Sequence, residues 1–345
     1  MPGNPFQDVP DVPDPEEFID IVHRRVERAA ENQRKAFRGT RAGDLTRART
    51  IELVRINTAC QMVQDRLWEI VRRTPNLDEL HPFYRELVDV VAGVDRMKEA
   101  LASIHKVAKL ARLIREEYGE KVKRARDPRE AAEIRRQALG RLYSAIRRKA
   151  GDAMRFLRDV VPELKEFPSV DPELFTVVIA GCPNVGKTTL MSAITGSRPR
   201  IASYPFTTKG IQVGYTEDPY PLQVLDTPGL LDRDPDTMNE IERKALAALE
   251  HVADAVLYLI DPTETCGYPL EHQLSLLERL ENTFRDTPSL VVLTKADVED
   301  LWKEPDLDGR EAVAVSAKTG EGIKELKERL NDMARGYYRR AGRPG

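Results

Sequence analysis

The stretch from Phe175 to Gly196 constrains this chain more than any other. Phe175 to Ala180 is a short, nearly unbroken apolar run, and it leads directly into Gly181-Cys182-Pro183-Asn184-Val185-Gly186-Lys187-Thr188. A helical stretch, Thr189 to Thr195, follows and stops at Gly196. The order is strand, glycine-rich loop, helix, with the spacing G-x-x-x-x-G-K-[ST]. A strand apolar on both faces belongs in a parallel sheet covered by helices. The spacing has a chemical reason. Backbone N–H groups from Gly181, Asn184, Val185, Gly186 and the helix start at Thr188 and Thr189 can wrap a β-phosphate around the turn made by Pro183. Lys187 then reaches the β/γ oxygens, and the Thr188 hydroxyl reaches Mg²⁺.

Three further elements extend this reading. A second strand, Pro221 to Leu225, ends at Asp226-Thr227-Pro228-Gly229. Asp226 is expected to hold Mg²⁺ through water, and Gly229 to offer its N–H to a γ-phosphate. Between the two strands, the polar loop Tyr204 to Gly210 carries Thr207 and Thr208, either of which can ligate Mg²⁺ when a γ-phosphate is present. Next, the strand Ser289 to Leu293 leads into Thr294-Lys295-Ala296-Asp297, and the strand Ala312 to Val315 into Ser316-Ala317-Lys318. An ionised Asp297 only accepts hydrogen bonds. It therefore suits the paired N1–H and 2-amino donors of guanine, which adenine lacks, while the backbone of Ser316, Ala317 and Lys318 can meet guanine O6. The expected substrate is GTP rather than ATP.

The first half reads differently. Apolar residues recur three and four apart from Phe18 to Val26, from Leu53 to Ile70 and from Leu87 to Ile114, giving one stripe per helix. Asp14-Pro15-Glu16-Glu17 and Asp127-Pro128-Arg129-Glu130 are helix starts, with an N-cap acceptor, a proline at the first position and acids at the positive end of the dipole. Breaks at Gly39 to Gly43, Thr74 to Asn76 and Ala125 to Pro128 divide about four long antiparallel helices, with Gly93 only bending the third. The predicted architecture is α plus α/β: an N-terminal helical bundle over residues 1–167, then a P-loop domain with a mainly parallel sheet over 168–345, closed by a carboxyl-terminal helix.

Charge follows the same division. The chain has a net charge of −3, yet residues 1–170 carry 34 Lys and Arg against 28 Asp and Glu, and the remainder 20 against 29. Lys121 to Lys149 alone holds 11 basic residues against 3 acidic ones. Such a run either meets nucleic-acid phosphate or forms a solvated, ion-paired helix face. Apolar runs are too short to cross a bilayer, and Met1 to Asp20 has no Lys or Arg for a secretion signal. No membrane association and a cytoplasmic location are expected. Cys60, Cys182 and Cys266 match no metal or disulfide spacing, and no stripe is left over for oligomerisation, so a monomer is expected.

The elements Gly181 to Thr188, Tyr204 to Gly210, Asp226 to Arg233, Thr294 to Asp297 and Ser316 to Lys318 resemble the translation-factor-related GTPases. With Arg73 to Leu77 and Leu80 to Tyr84 in the helical half, the chain closely resembles the nucleolar GTP-binding (Nog) family, next to the Obg family. The resemblance implies a GTPase that assists large ribosomal subunit assembly, with its helical domain packed against rRNA and with ribosomal proteins of the same subunit as candidate further partners. Absence of a long carboxyl-terminal extension points to a compact archaeal-type member. Two departures carry expectations. Thr294 replaces the usual Asn, which is expected to loosen the base loop. Leu230 stands where a water-orienting glutamine would be, so intrinsic turnover should be slow. Relatives with Asn at the position of Asn184 often bind K⁺, which makes Asn184 a K⁺ ligand or, alternatively, a turn residue tolerant of unusual backbone angles. The residues expected to act in hydrolysis are Lys187, Thr208, Gly229 and Asn184. Two alternatives remain: an Obg-like translation or stress regulator, and an RNA-binding structural factor that uses hydrolysis as a slow timer.

Overall fold

A computed structural model of the chain describes residues 3–39, 41–196, 200–204, 210–217 and 219–342. Six helices come first: α1 (Pro15–Ala36), α2 (Asp44–Arg73), α3 (Pro82–Val91), α4 (Val94–Lys123), α5 (Pro128–Ala145) and α6 (Gly151–Lys165). The pattern then alternates: β1 (Phe175–Ala180), α7 (Lys187–Thr195), β2 (Arg200–Ala202), β3 (Ile211–Thr216), β4 (Leu222–Asp226), α8 (Glu240–Glu250) and β5 (Ala255–Ile260). It finishes with α9 (Leu270–Thr283), β6 (Ser289–Leu293), β7 (Ala312–Ala314) and α10 (Ile323–Arg340). The predicted helical bundle followed by a mainly parallel α/β sheet is the fold observed.

The chain forms two compact units, one of Pro5–Leu77 with Ala92–Lys165, the other of Met1–Asn4, Asp78–Val91 and Glu166–Gly345. In the helical unit the helix starts work as their sequences require: the Asp14 carboxylate accepts the Glu16 N–H at 2.9 Å, and Asp127 accepts those of Arg129 and Glu130 at 2.8 and 2.9 Å. The stripes meet in one core, with Val22 and Val26, Ile56, Val63 and Leu67, Met97, Ile104 and Val107, and Leu142 all fully buried. A π turn at Ile146–Ala150 joins α5 to α6 and leaves Arg147, Arg148 and Lys149 exposed. An ion network crosses the bundle from the nearly buried Glu52, which meets Arg55 at 3.1 Å and Arg135 at 3.0 Å, while Arg55 meets Glu27 at 2.8 Å.

The third stripe differs from expectation. Gly93 does not bend a single helix; at φ +72 it ends α3 and starts α4. Left-handed φ is cheap only for glycine, so the chain turns there. α3 belongs to the sheet unit, although its residues fall within the 1–167 span expected for the bundle. Phe83 and Tyr84 are buried, and the Tyr84 hydroxyl accepts the Val170 N–H at 3.0 Å and lies 2.8 Å from the Val170 carbonyl.

In the sheet unit the strand order is β2-β3-β4-β1-β5-β6-β7. β1 runs parallel to β4 and β5, and β5, β6 and β7 continue parallel, while β3 is antiparallel to β2 and to β4. Register pairs Ile179 with Asp226, Ala180 with Tyr258 and Ile260 with Leu293. The carboxyl ends of β1, β4, β5 and β6 therefore share one edge, where ligands of open α/β sheets bind.

Candidate nucleotide-binding site

Every described candidate residue lies along that edge. Leaving β1, the chain turns at Gly181 with φ +142, where a Cβ would stand 2.6 Å from the Leu259 carbonyl oxygen; only glycine fits against β5. Asn184 adopts φ +61 and Gly186 φ +102, and these curl the loop into the start of α7. The Lys187 ammonium donates to the carbonyls of Gly181 at 2.7 Å and Cys182 at 2.9 Å, so the lysine spans the loop it belongs to. Cys182 is buried, which pushes its thiol up to about 11 and makes it unreactive.

The Thr188 hydroxyl donates to Asp226 Oδ2 at 2.8 Å. Asp226 is fully buried, and burial raises its carboxyl above the usual range, against the opposing Thr188 hydrogen bond and Lys187 charge. Its Oδ1 and the neighbouring Thr227 hydroxyl have no hydrogen-bond partner among the described residues. A buried acceptor without a donor is costly, and a divalent cation beside Thr188 fits that acceptor. Gly229, at φ +89, donates its N–H to Asp232 Oδ2 at 3.0 Å. Leu230 is buried, and Gly181 donates to the Leu231 carbonyl at 3.0 Å, which ties the phosphate loop to the segment after β4. Thr207 and Thr208 lie outside the described residues.

The loops that follow β6 and β7 touch each other. The Ser316 hydroxyl donates to Asp297 Oδ1 at 2.7 Å, and Ala296 donates to the Val315 carbonyl at 3.1 Å. Ser316, with help from Lys318 at 3.8 Å, holds the Asp297 carboxyl below the usual range, so it stays an acceptor. Thr294 is nearly buried and directs both its N–H and its hydroxyl to the Ile260 carbonyl, at 2.8 and 3.2 Å. Lys295 adopts φ +61 and extends to Asp261.

These elements enclose two clefts. One, about 350 Å³, is lined by Val185, Thr294, Lys295, Asp297 and the Ser316–Lys318 backbone segment. The other, about 380 Å³, is lined by Pro183, Lys187, Thr188, Asp226, Pro228 and Asp232. Asn184, Gly186 and Thr189 line both, so the two clefts adjoin across the glycine-rich loop. A larger open depression of about 520 Å³ beside the Glu281–Arg310 ion pair touches none of these residues. Sequence reasoning assigned no role to Asp261 or Asp232. An Asp at a strand end followed by threonines at 263 and 265 is an Asx-turn pattern, and this was the available signal for Asp261.

The basic segment of the helical unit is largely self-neutralised. Lys121 and Arg141 pair with Glu117, Lys123 with Glu120, Arg126 with Glu130, Arg135 with Glu52, Arg136 with Glu133 and Arg147 with Glu16. Arg124, Arg129, Arg148 and Lys149 form no ion pair among the described residues. Among those residues there is also no cluster of His, Cys, Asp or Glu suited to a metal, and no helix long and apolar enough to cross a membrane.

A mainly parallel sheet with a P-loop after its first strand, an Asp at the end of β4 and paired loops after β6 and β7 defines the P-loop GTPase fold, joined to a helical domain. The NOG1 N-terminal helical domain model matches residues 6–171, and the nucleolar GTP-binding protein 1 (NOG1) model matches residues 240–297. The chain belongs to the nucleolar GTP-binding (Nog) family. It is 37% identical over 298 residues to an uncharacterized protein of Methanocaldococcus jannaschii, covering 86% of this chain and 82% of that protein. It is 33% identical to nucleolar GTP-binding protein 1 of Eremothecium gossypii, covering 87% of this chain and 46% of that one. The probable nucleolar GTP-binding protein 1 of Dictyostelium discoideum is 32% identical, with 94% and 50% covered. The chain thus spans about half the length of these two eukaryotic relatives.

Proposed function

We propose that this chain binds GTP, hydrolyses it slowly to GDP and phosphate, and acts in large ribosomal subunit assembly as a nucleotide-gated factor that contacts rRNA. The observation that carries the reading is Asp297, kept ionised by Ser316 at the end of a cleft that opens onto the glycine-rich loop. A carboxylate there accepts both donors of guanine and offers nothing to adenine. The names of the eukaryotic relatives support the choice of GTP.

In this reading Gly181 to Thr189 wraps the phosphates, Lys187 moves from its loop carbonyls to the β/γ oxygens, and Gly229 exchanges Asp232 for the γ-phosphate. Thr188 and Asp226 hold Mg²⁺, which neutralises developing phosphate charge; Thr207 or Thr208 adds the ligand that depends on the γ-phosphate. Asn184, at the rim of both clefts, is the proposed K⁺ ligand. Leu230, apolar and buried, cannot orient water, which supports slow intrinsic turnover. The unpaired Arg124, Arg129, Arg148 and Lys149 are the rRNA-facing cations, and the monomer remains the proposed state.

Co-sedimentation with large ribosomal subunits in KCl and in NaCl tests this, using a non-hydrolysable GTP analogue, GDP or no nucleotide at two salt concentrations. The expected result is tighter binding with one nucleotide, and an affinity that falls with salt on a logarithmic slope no steeper than about −4, as four phosphate contacts allow. Hydrolysis should be faster in KCl. Equal binding in all nucleotide states removes the gating, and equal rates in the two salts remove the K⁺ role.

A further inference from the structure

We propose that Asp261 is a positioning residue of the guanine site, fixing Lys295 and thereby the base loop in place of the carboxamide that Thr294 lacks. The inference rests on the nucleotide site proposed above.

Asp261 follows β5 directly and is fully buried. Its backbone is locked to α9, with its N–H donating to Gln273 Oε1 at 2.7 Å and its carbonyl accepting Gln273 Nε2 at 3.0 Å. Its carboxylate is fully occupied. Oδ1 accepts the Thr263 N–H at 3.0 Å and the Thr263 hydroxyl at 2.5 Å. Oδ2 accepts the Cys266 N–H at 2.7 Å, the Thr265 hydroxyl at 3.2 Å and the Lys295 ammonium at 2.7 Å. Burial pushes this carboxyl up, but Lys295 and the surrounding donors outweigh burial and hold it below the usual range.

Lys295 is the cation that balances this buried charge, and Thr265 Oγ1 accepts from the same ammonium at 2.8 Å. Both ends of Lys295 are thus defined: its backbone by the left-handed φ of +61, its ammonium by Asp261 and Thr265. Lys295 itself lines the proposed base cleft two residues before Asp297. Thr294 is too short to do more than reach back to Ile260. The loop is therefore tied to the end of β5 by two successive residues, Thr294 to Ile260 and Lys295 to Asp261, and the second tie carries the charge. A residue that only shaped its own turn would need Thr263, Thr265 and Cys266 and would be indifferent to Lys295.

The test is a double-mutant cycle on the full chain, with binding of a fluorescent GDP followed by titration and hydrolysis measured at saturating GTP. Asp261→Asn keeps an acceptor for Thr263 and removes the charge. It should weaken GDP binding by about 10- to 100-fold, the range for losing a charge-assisted hydrogen bond, raise the KM for GTP in parallel and leave kcat within about twofold. Adding Thr294→Asn should restore most of that loss and gain less on the wild-type background, because a carboxamide supplies the second tie. Lys295→Gln, which leaves the Asp261 turn its own donors, should reproduce the loss if Asp261→Asn fails to fold. Unchanged affinity in Asp261→Asn, or a loss that Thr294→Asn does not restore, overturns the positioning role. Failure of the unmodified chain to bind GDP would instead overturn the nucleotide site itself.

Discussion

In the proposed site, Asp297 is the residue on which the choice of nucleotide turns. Its two oxygens match two donors on guanine, so replacing one oxygen with an amide nitrogen puts a donor against a donor. Asp297→Asn should lower GDP affinity by about 10- to 100-fold and favour xanthosine diphosphate, whose 2-oxo group accepts the new donor. Competition between the two nucleotides reads this directly, and retained guanine preference would remove Asp297 from base recognition. Asp254 carries a pH dependence instead. It accepts the Thr176 N–H at 2.9 Å at the start of β5, and burial pushes its carboxyl up to about 6. An unfolded Asp titrates near about 3.9, so the folded chain binds the proton more tightly. Its contribution to stability is full below about pH 4, is lost as pH rises to about 6, and stays lost above. Asp254→Asn keeps an acceptor for Thr176 and does not titrate. Its melting temperature should exceed that of the unmodified chain at pH 7.5 and converge with it towards pH 4; a constant gap across that range would refute the assignment. Legibility at this scale follows from what fixes each residue. Gly181, Lys187, Thr188, Asp226 and Asp297 stand at spacings that phosphate and base chemistry impose, so the sequence displays them. Asp261 acts on Lys295, 34 residues away, and only the pairing of β5 with β6 brings the two together.

At the scale of elements, α3 shows what amphipathic patterning leaves open. Periodicity reports that Phe83, Leu87 and Val88 are buried, but not against what. Gly93, a possible bend by composition, breaks the helix through its left-handed φ and frees α3 to pack elsewhere. α3 lies on α8, the helix that follows the Asp226–Arg233 segment: Asp89 meets Lys244 at 2.9 Å, and the Phe83 ring stacks on Tyr204 at 6.4 Å. The Tyr204 hydroxyl in turn donates to the Ala245 carbonyl of α8 at 2.7 Å. α3 is thus part of the sheet unit's own core, beside Tyr204. Phe83→Ala removes a fully buried ring and should cost about 3–5 kcal/mol, seen as a lower urea midpoint for the sheet unit. The same origin explains the basic segment. Its charge excess is visible in sequence, yet the acids that answer Arg135 and Arg147 are Glu52 and Glu16, from other helices. A local count cannot pair residues that tertiary structure brings together.

The whole molecule places one tryptophan in each unit: Trp68 in α2, edge-on to His105, and Trp302 beyond the base loop, donating to Glu304 at 3.0 Å. Each unit has its own buried core, while the chain passes between units at residues 4–5, 77–78, 91–92 and 165–166. Nucleotide bound in the proposed clefts contacts the sheet unit alone, and its stabilisation enters whichever transition unfolds that unit. At about 100 times its Kd, GDP adds about 2.7 kcal/mol there. When the sheet unit unfolds, α3 becomes a free connection between α2 and α4, and closing a loop of that length costs little beyond what the bundle core already sustains. Single-tryptophan variants, Trp68→Phe and Trp302→Phe, separate the two responses. GDP should raise the urea midpoint reported by Trp302 and leave that reported by Trp68 in place. Equal shifts in both would mean that the two units unfold as one cooperative body, so that nucleotide bound to the sheet unit stabilises the helical bundle as well.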